Sequence, residues 1–299
     1  MAIFKENIYE QILDDLRALN SLKNEAEFIT FLEKIRDHAS KIYTQIQESV
    51  VEVDYSILRT QIAYVLRYFP GYWYQIYKAL CVLDEDNLIA FRKNSINIGL
   101  FGCGPCPEII GITRFFEKIR HRELALNIPQ TINLNLFDKH SDDWLYARNL
   151  FISPESRIEK LNQFGLKVNH YKYDFSNEFS LIDFKHENSF YICNFQNCLN
   201  EFLLKTELQT LSLNFNRIID SISDDGFLII SDRKKCEKEL GTVDSILKSR
   251  MHLVSDYEHI YVSTNDSPFP PILSTLFTGE KERWLIPTKN NKFITRIYS

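Results

Sequence analysis

The residues with the clearest chemical potential lie in one heptapeptide, Gly102-Cys103-Gly104-Pro105-Cys106-Pro107-Glu108, directly after the apolar run Ile96-Asn97-Ile98-Gly99-Leu100-Phe101 and before a helical pattern. Glycines in such a turn let backbone N–H groups approach a ligand closely, and the N-terminus of the helix that follows favours negative charge. A nucleotide-type ligand is therefore expected. In open α/β sheets such a ligand lies outside the carboxyl ends of the strands, which makes the residue after each apolar run a candidate. Asp138 follows Ile132–Phe137, Asp174 follows Val168–Tyr173, and Asn194 follows Phe190–Cys193. Asp138, with Lys139 beside it, is expected to accept hydrogen bonds from ribose hydroxyls. Asp174 is expected to accept from an adenine amino group while Phe175 contacts the ring. Either acid taken singly reads equally well as a helix N-cap. Their ordered recurrence behind a glycine turn favours the binding role.

Those residues need a sheet to position them. Residues 1–92 show little strand signal and a helical period: Ile8, Ile12, Leu13, Leu16 and Leu19 share one face, and Phe28, Phe31, Leu32, Ile35 and His38 share the next. A third helix, Tyr55 to Phe69, is expected to stop at Pro70-Gly71, and a fourth to run from Tyr72 through Leu80. Residues 1–92 thus read as an all-α cap, and residues 93–299 as an α/β domain. In the latter, short apolar runs alternate with helical stretches near Ile109–Arg122, Trp144–Phe164 and Lys205–Ser223, with a fifth run at Gly226–Ile230. That alternation predicts a mostly parallel sheet with right-handed crossovers. Arg283–Ile286 and Lys292–Tyr298, joined by Pro287-Thr288-Lys289-Asn290-Asn291, predict a closing hairpin.

With these motifs in place, residues 95–299 resemble the class I S-adenosylmethionine-dependent methyltransferases. Ile98-Gly99-Leu100-Phe101-Gly102-Cys103-Gly104-Pro105 is similar to the family's nucleotide loop, and Asp138 stands where its ribose-binding acid belongs. Asp174-Phe175 stands at its adenine-binding motif, and Ser189-Phe190-Tyr191-Ile192-Cys193-Asn194-Phe195 resembles its fourth strand. Asp224 to Asp232 resembles its fifth strand behind an acidic turn, and the closing hairpin is similar to strands six and seven. The resemblance implies a Rossmann-like, seven-stranded, mostly parallel sheet in the order 3-2-1-4-5-7-6. It also implies S-adenosyl-L-methionine as cofactor and transfer of its methyl group to an acceptor of unidentified class. A weaker similarity is to ribosomal-RNA-methyltransferase-like proteins, whose loop glutamate aligns with Glu108 and whose Asn-Glu pair aligns with Asn200-Glu201. It keeps RNA among the possible partners. By position, Glu201 and Tyr64 are candidates for a general base, and Asn194, Asn197 and Asn200 for orienting the acceptor. The chain departs from the family pattern at Leu100, where many members carry an acid, and at Cys106, where a third glycine is common. These departures admit an alternative: a degenerate methyltransferase fold acting as a non-catalytic binding or assembly module.

Other chemistries use some of the same residues. Cys103-Gly104-Pro105-Cys106 is also a thioredoxin-type tetrapeptide, but Gly102 precedes it where Trp is usual and a long helical region comes first. Cys103, Cys106, Cys193 and Cys198 are a conceivable four-thiolate set for zinc or iron–sulfur, although their spacing is loose and no metal is expected. With 35 Lys+Arg against 40 Asp+Glu, the net charge of −5 gives no global attraction for nucleic acid or anionic membranes. No run of residues approaches a membrane span. Early charge in Met1-Ala2-Ile3-Phe4-Lys5-Glu6 argues against a signal peptide, and six cysteines without a ladder of spacings suit a reducing cytoplasm.

Overall fold

A computed structural model of the chain describes residues 3–47, 54–86, 88–89, 94–122, 129–152, 155–177, 181, 184, 188–199, 202–203, 206–262, 269–276 and 290–299. The chain forms two compact units, neither continuous in sequence: residues 1–73, 142–160 and 261–291, and residues 74–141, 161–260 and 292–299. Among the described residues no helix is long and apolar enough to cross a membrane.

The first unit is built from α1 (Ile8–Leu19), α2 (Glu25–Gln47), the first part of α3 (Leu58–Glu85), α5 (Leu145–Ile152), the start of α6 (Glu155–Gln163) and the short α9 (Pro271–Leu276). Asn7 caps α1 by accepting a hydrogen bond from the Tyr9 N–H. Ile8, Ile12, Leu13 and Leu16 are buried as the helical period predicts, while Leu19, in the last turn, is 45% exposed. Asp15 on α1 receives Arg157 at 2.7 and 2.9 Å in a buried ion pair. Phe69 stacks on Phe151 with centroids 4.2 Å apart, and the Gln61 side chain accepts from the Ala147 N–H and donates to the Asp143 carbonyl.

Where the sequence predicts two helices separated at Pro70-Gly71, the structure has one, α3, with Pro70 inside it. Proline removes one ladder hydrogen bond and costs about 3 kcal/mol in a helix interior. Here the flanking turns are anchored by buried Leu66, Phe69, Tyr72, Trp73 and Ile76, so packing carries the helix through the break. Conversely, the single helix expected over 144–164 is two, α5 and α6.

The second unit centres on a seven-stranded sheet. Its strands are β1 (Ser95–Phe101), β2 (Thr131–Asp138), β3 (Leu166–Lys172), β4 (Phe190–Gln196), β5 (Ile222–Arg233), β6 (Leu253–Val262) and β7 (Asn290–Tyr298), in the order 3-2-1-4-5-7-6. Strands β3, β2, β1, β4 and β5 pair in parallel, and β7 pairs antiparallel with β5. With α4 (Glu108–Arg122), α7 (Leu208–Ile219) and α8 (Glu237–Leu247) as its connecting helices, this is a Rossmann-like α/β fold. The sheet neighbour of β7 on its outer side is β6, in place of the predicted partner Arg283–Ile286, which lies outside the described residues. Charged residues hide β6 from a reading by apolar pattern. Leu253-Val254-Ser255-Asp256-Tyr257-Glu258-His259-Ile260 is an edge strand with Leu253 51% and Ile260 52% exposed, so its apolar alternation is incomplete.

One face of the parallel half carries a row of stacked rings, Phe195, Phe101, Phe137 and Tyr171, with successive centroids 4.9, 4.7 and 4.8 Å apart. The row follows the register Phe195↔Phe101↔Phe137↔Tyr171 across β4, β1, β2 and β3. Packing of these rings fixes the level at which the strands end, and hence where the loops beyond them begin.

Candidate functional site

Strand order reverses at β1, whose neighbours β2 and β4 lead to crossovers running in opposite directions. The loops leaving adjacent strands therefore diverge there, which is where open α/β sheets bind ligands. The Gly102–Pro107 loop leaves β1 at this point. Gly102, Gly104 and Cys106 have φ of +62°, +51° and +63°. A Cβ on Gly102 would stand 2.9 Å from Cys198 Cβ and 2.9 Å from the Phe202 ring, so the protein's own packing already demands glycine there. Cys106 holds a left-handed backbone, at a cost of about 1–2 kcal/mol for a residue with a Cβ.

Asp138 ends β2 and is 7% exposed. One carboxylate oxygen accepts from the Gly104 N–H at 2.7 Å and the other from the His140 N–H at 2.8 Å, while the Gly102 N–H donates to the Phe137 carbonyl at 2.8 Å. Asp138 thereby pins the glycine loop to the end of β2. Each carboxylate oxygen has a second lone pair, so this geometry fits a residue that also accepts from a ligand's hydroxyls. Lys139, exposed beside it, pairs with Asp174 at 3.2 Å.

Asp174 follows β3. Its other oxygen accepts from the Ser176 N–H at 3.0 Å and the Ser176 hydroxyl at 2.6 Å. Partial burial disfavours its charge, but the Ser176 hydrogen bonds and Lys139 outweigh that and hold the carboxyl below its ordinary range. Asp174 is thus already engaged by protein groups. Phe175 is buried, stacked on Phe202 at 4.6 Å, with Phe215 and Phe195 edge-on, and its carbonyl accepts from Asn214 at 2.9 Å. Its ring is part of the core.

Glu108 is the first residue of α4 and is buried, as are Cys103 and Pro105 in the loop before it. Asn194, on β4 between Leu100 and Ile229, is 1% exposed, and neither its Nδ2 nor its Oδ1 has a hydrogen-bond partner among the described residues. Asn197, just past β4 with φ +58°, donates its N–H to the Ser231 carbonyl at 2.9 Å, and its side-chain amide is likewise unpartnered among the described residues. Asn200 and Glu201 lie outside the described residues. Tyr64 belongs to the first unit, where its ring meets Tyr68 at 4.4 Å, Trp144 at 5.0 Å and Tyr55 at 6.1 Å.

Sequence reasoning passes over Asp232. This carboxylate is fully buried at the end of β5 and accepts from the Leu199 N–H at 3.3 Å and the Arg233 N–H at 2.7 Å. Burial raises its pKa against those hydrogen bonds. It holds the loop after β4 much as Asp138 holds the loop after β1. The signal is there in the chain: an Asp directly behind an apolar strand, as at Asp138.

The cysteines do not assemble a centre. All six are free and buried, and among the described residues no three His, Cys, Asp or Glu side chains converge to hold a metal. Burial pushes the Cys193 thiol well up, away from the thiolate that metal binding or redox exchange needs.

No protein-family model and no curated protein matches the chain. Among solved structures, the chain is similar to an S-adenosylmethionine-dependent methyltransferase from Clostridium acetobutylicum, at 11% identity and a TM-score of 0.40, covering 76% of this chain and 91% of that one. It is similar to the plantazolicin methyltransferase BpumL in complex with SAH, at 15% identity and a TM-score of 0.40, covering 92% and 98%. It is also similar to the N-methyltransferase NodS from Bradyrhizobium japonicum, at 11% identity and a TM-score of 0.36, covering 74% and 92%. The Rossmann-like assignment of the sheet rests on its own strand order and pairing.

Proposed function

We propose that the protein is an S-adenosyl-L-methionine-dependent methyltransferase. The observation that carries this reading is the glycine loop at the strand-order reversal, tied to the buried carboxylate of Asp138, which accepts from the Gly104 and His140 N–H groups. When bound, the cofactor supplies an activated methyl group on a sulfonium. The chain's contribution is alignment and exclusion of water, which suffice for in-line transfer without a covalent enzyme intermediate. In this reading Gly102, Cys103, Gly104 and Pro105 cradle the cofactor, and Asp138 accepts from the ribose hydroxyls. Lys139, Asp174 and Phe175 border the adenine, and Glu108 and Asn194 border the remainder. Glu201 and Tyr64 are the proposed general-base candidates, with Asn200 orienting the acceptor. The acceptor is a small molecule, a protein or an RNA.

One observation favours a second reading. Asp174 is already satisfied by Ser176 and Lys139, and Phe175 is already packed in the core, so the adenine side offers less open recognition chemistry than the ribose side. A degenerate fold serving as a binding or assembly module would look the same there.

Calorimetric titration with S-adenosylmethionine, in reducing buffer, separates the two. The enzyme reading expects micromolar affinity that Asp138→Ala weakens by at least about tenfold, equivalent to about 1.4 kcal/mol. Absence of binding at millimolar cofactor overturns it in favour of the module.

A further inference from the structure

Helices α7 and α8 cover the same face of the sheet, where Leu211, Phe215 and Ile218 of α7 and Leu240, Val243 and Leu247 of α8 share one buried cluster. They lie side by side and run the same way. Arg250, just past the end of α8, donates to the Asn216 carbonyl at 3.3 Å and to the Asp220 carboxylate at 2.6 Å, both at the end of α7. Along their outer side runs a groove of about 1050 Å³, lined from Gln209 and Lys238 at one end to Asn216 and Ser249 at the other, with Leu213 and Ile246 between. Two of its residues are not explained by packing within the chain. Leu208, at the N-terminal end, is 61% exposed, more than any other large apolar side chain among the described residues. Gly241 stands inside α8, where a Cβ would meet nothing within 4 Å, so the fold has no need of glycine there. Glycine is the poorest helix former after proline. A backbone approaching closely from outside does call for it.

The charges at the two ends of the groove complement each other. Among the described residues, the N-terminal end carries Glu207, Glu237 and Glu239 against Lys235 and Lys238, with Lys234 taken up by Glu258. The C-terminal end carries Lys248 and Arg250 against Asp220. We propose that the groove is a homodimer interface, occupied by α7 and α8 of a second copy of this chain lying antiparallel. A two-fold axis crossing the helices near Gly241 sets Glu237 of each copy against Lys248 of the other and Gly241 against Ser245. It also lays each exposed Leu208 over the Ile246 end of the opposite groove. Such a contact uses the same patch twice and closes on itself. The parallel arrangement would set Glu207 against Glu237 and align the helix dipoles, so like charges and dipoles both oppose it.

The test is sedimentation velocity across the micromolar range on wild type, Gly241→Glu, Glu237→Lys, Lys248→Glu and the double variant Glu237→Lys, Lys248→Glu. These positions are exposed, so the fold should survive each change, which far-UV circular dichroism checks. Wild type is expected to pass from monomer to dimer as concentration rises. Gly241→Glu, which places bulk and like charge beside the two-fold, is expected to stay monomeric throughout. Each single charge reversal is expected to weaken the dimer at least about tenfold, and the double variant to return within about threefold of wild type. A double variant no tighter than the single ones, or Gly241→Glu dimerising as tightly as wild type, overturns the proposal. So does wild-type protein that stays monomeric, which would leave the groove to a helix of another protein.

Discussion

Acidification is expected to act on this fold through His259. The imidazole lies on edge strand β6 and is 9% exposed, ringed by Phe293 at 5.4 Å, Tyr257 at 5.6 Å and Tyr74 at 6.1 Å. Neither ring nitrogen has a hydrogen-bond partner among the described residues. Burial, reinforced by Lys78 on α3, lowers its pKa from 6.5 to about 4. A histidine whose folded pKa is depressed binds protons more readily in the unfolded chain. Its stabilising effect is therefore fully present above about pH 6.5 and is lost as pH falls from there to about 4. At about 1.4 kcal/mol per unit, the whole shift amounts to roughly 3 kcal/mol, of which about 2 kcal/mol is lost between pH 7 and pH 5. Urea unfolding of wild type and His259→Phe at pH 7, 6 and 5 measures it. Phenylalanine suits the three surrounding rings and leaves no nitrogen unmet, so the variant should match or exceed wild type at pH 7 and keep that stability at pH 5. Asp15 and Asp232, whose carboxyls burial raises, titrate alike in both proteins and cancel in the difference. An equal loss of stability in wild type and variant between pH 7 and pH 5 would refute the argument.

Two further substitutions probe the frame. Gly102→Ala must hold φ near +62° and bring its Cβ within 2.9 Å of Cys198 and Phe202, so a loss of at least about 2 kcal/mol is expected by chemical denaturation. A loss below about 0.5 kcal/mol would mean that the loop is not built as described. Asp15→Ala leaves the buried Arg157 guanidinium, among the described residues, with the Leu150 and Phe151 carbonyls and the Phe4 ring but no anion, and about 3–5 kcal/mol should be lost. The double variant Asp15→Leu, Arg157→Met is expected to recover most of that, and a single variant as stable as wild type would remove the pair from the account.

Much of this molecule is legible in the chain. Buried parallel strands read as apolar runs because both faces are covered, which locates β1, β2, β4, the second half of β5 and the loop that leaves β1, whereas the edge strand β3 is mostly exposed. Left-handed turns select glycine, which marks Gly102 and Gly104, and the strand-ending position alone singles out Asp138, Asp174 and Asn194. Other features depend on distant segments. Pro70 reads as a helix end, but buried rings on both sides carry α3 through it. Strand β6 has exposed apolar residues and charged ones, so only its pairing with β7 identifies it. Above all, sequence cannot say which strand-ending polar group is satisfied. Asp174 meets Ser176 and Lys139, Asp138 meets the glycine loop, and Asn194 has only Leu100 and Ile229 as its register neighbours. A hydrogen-bond partner 34 residues away, as between Gly104 and Asp138, follows from sheet order and register, which are fixed by the whole chain at once.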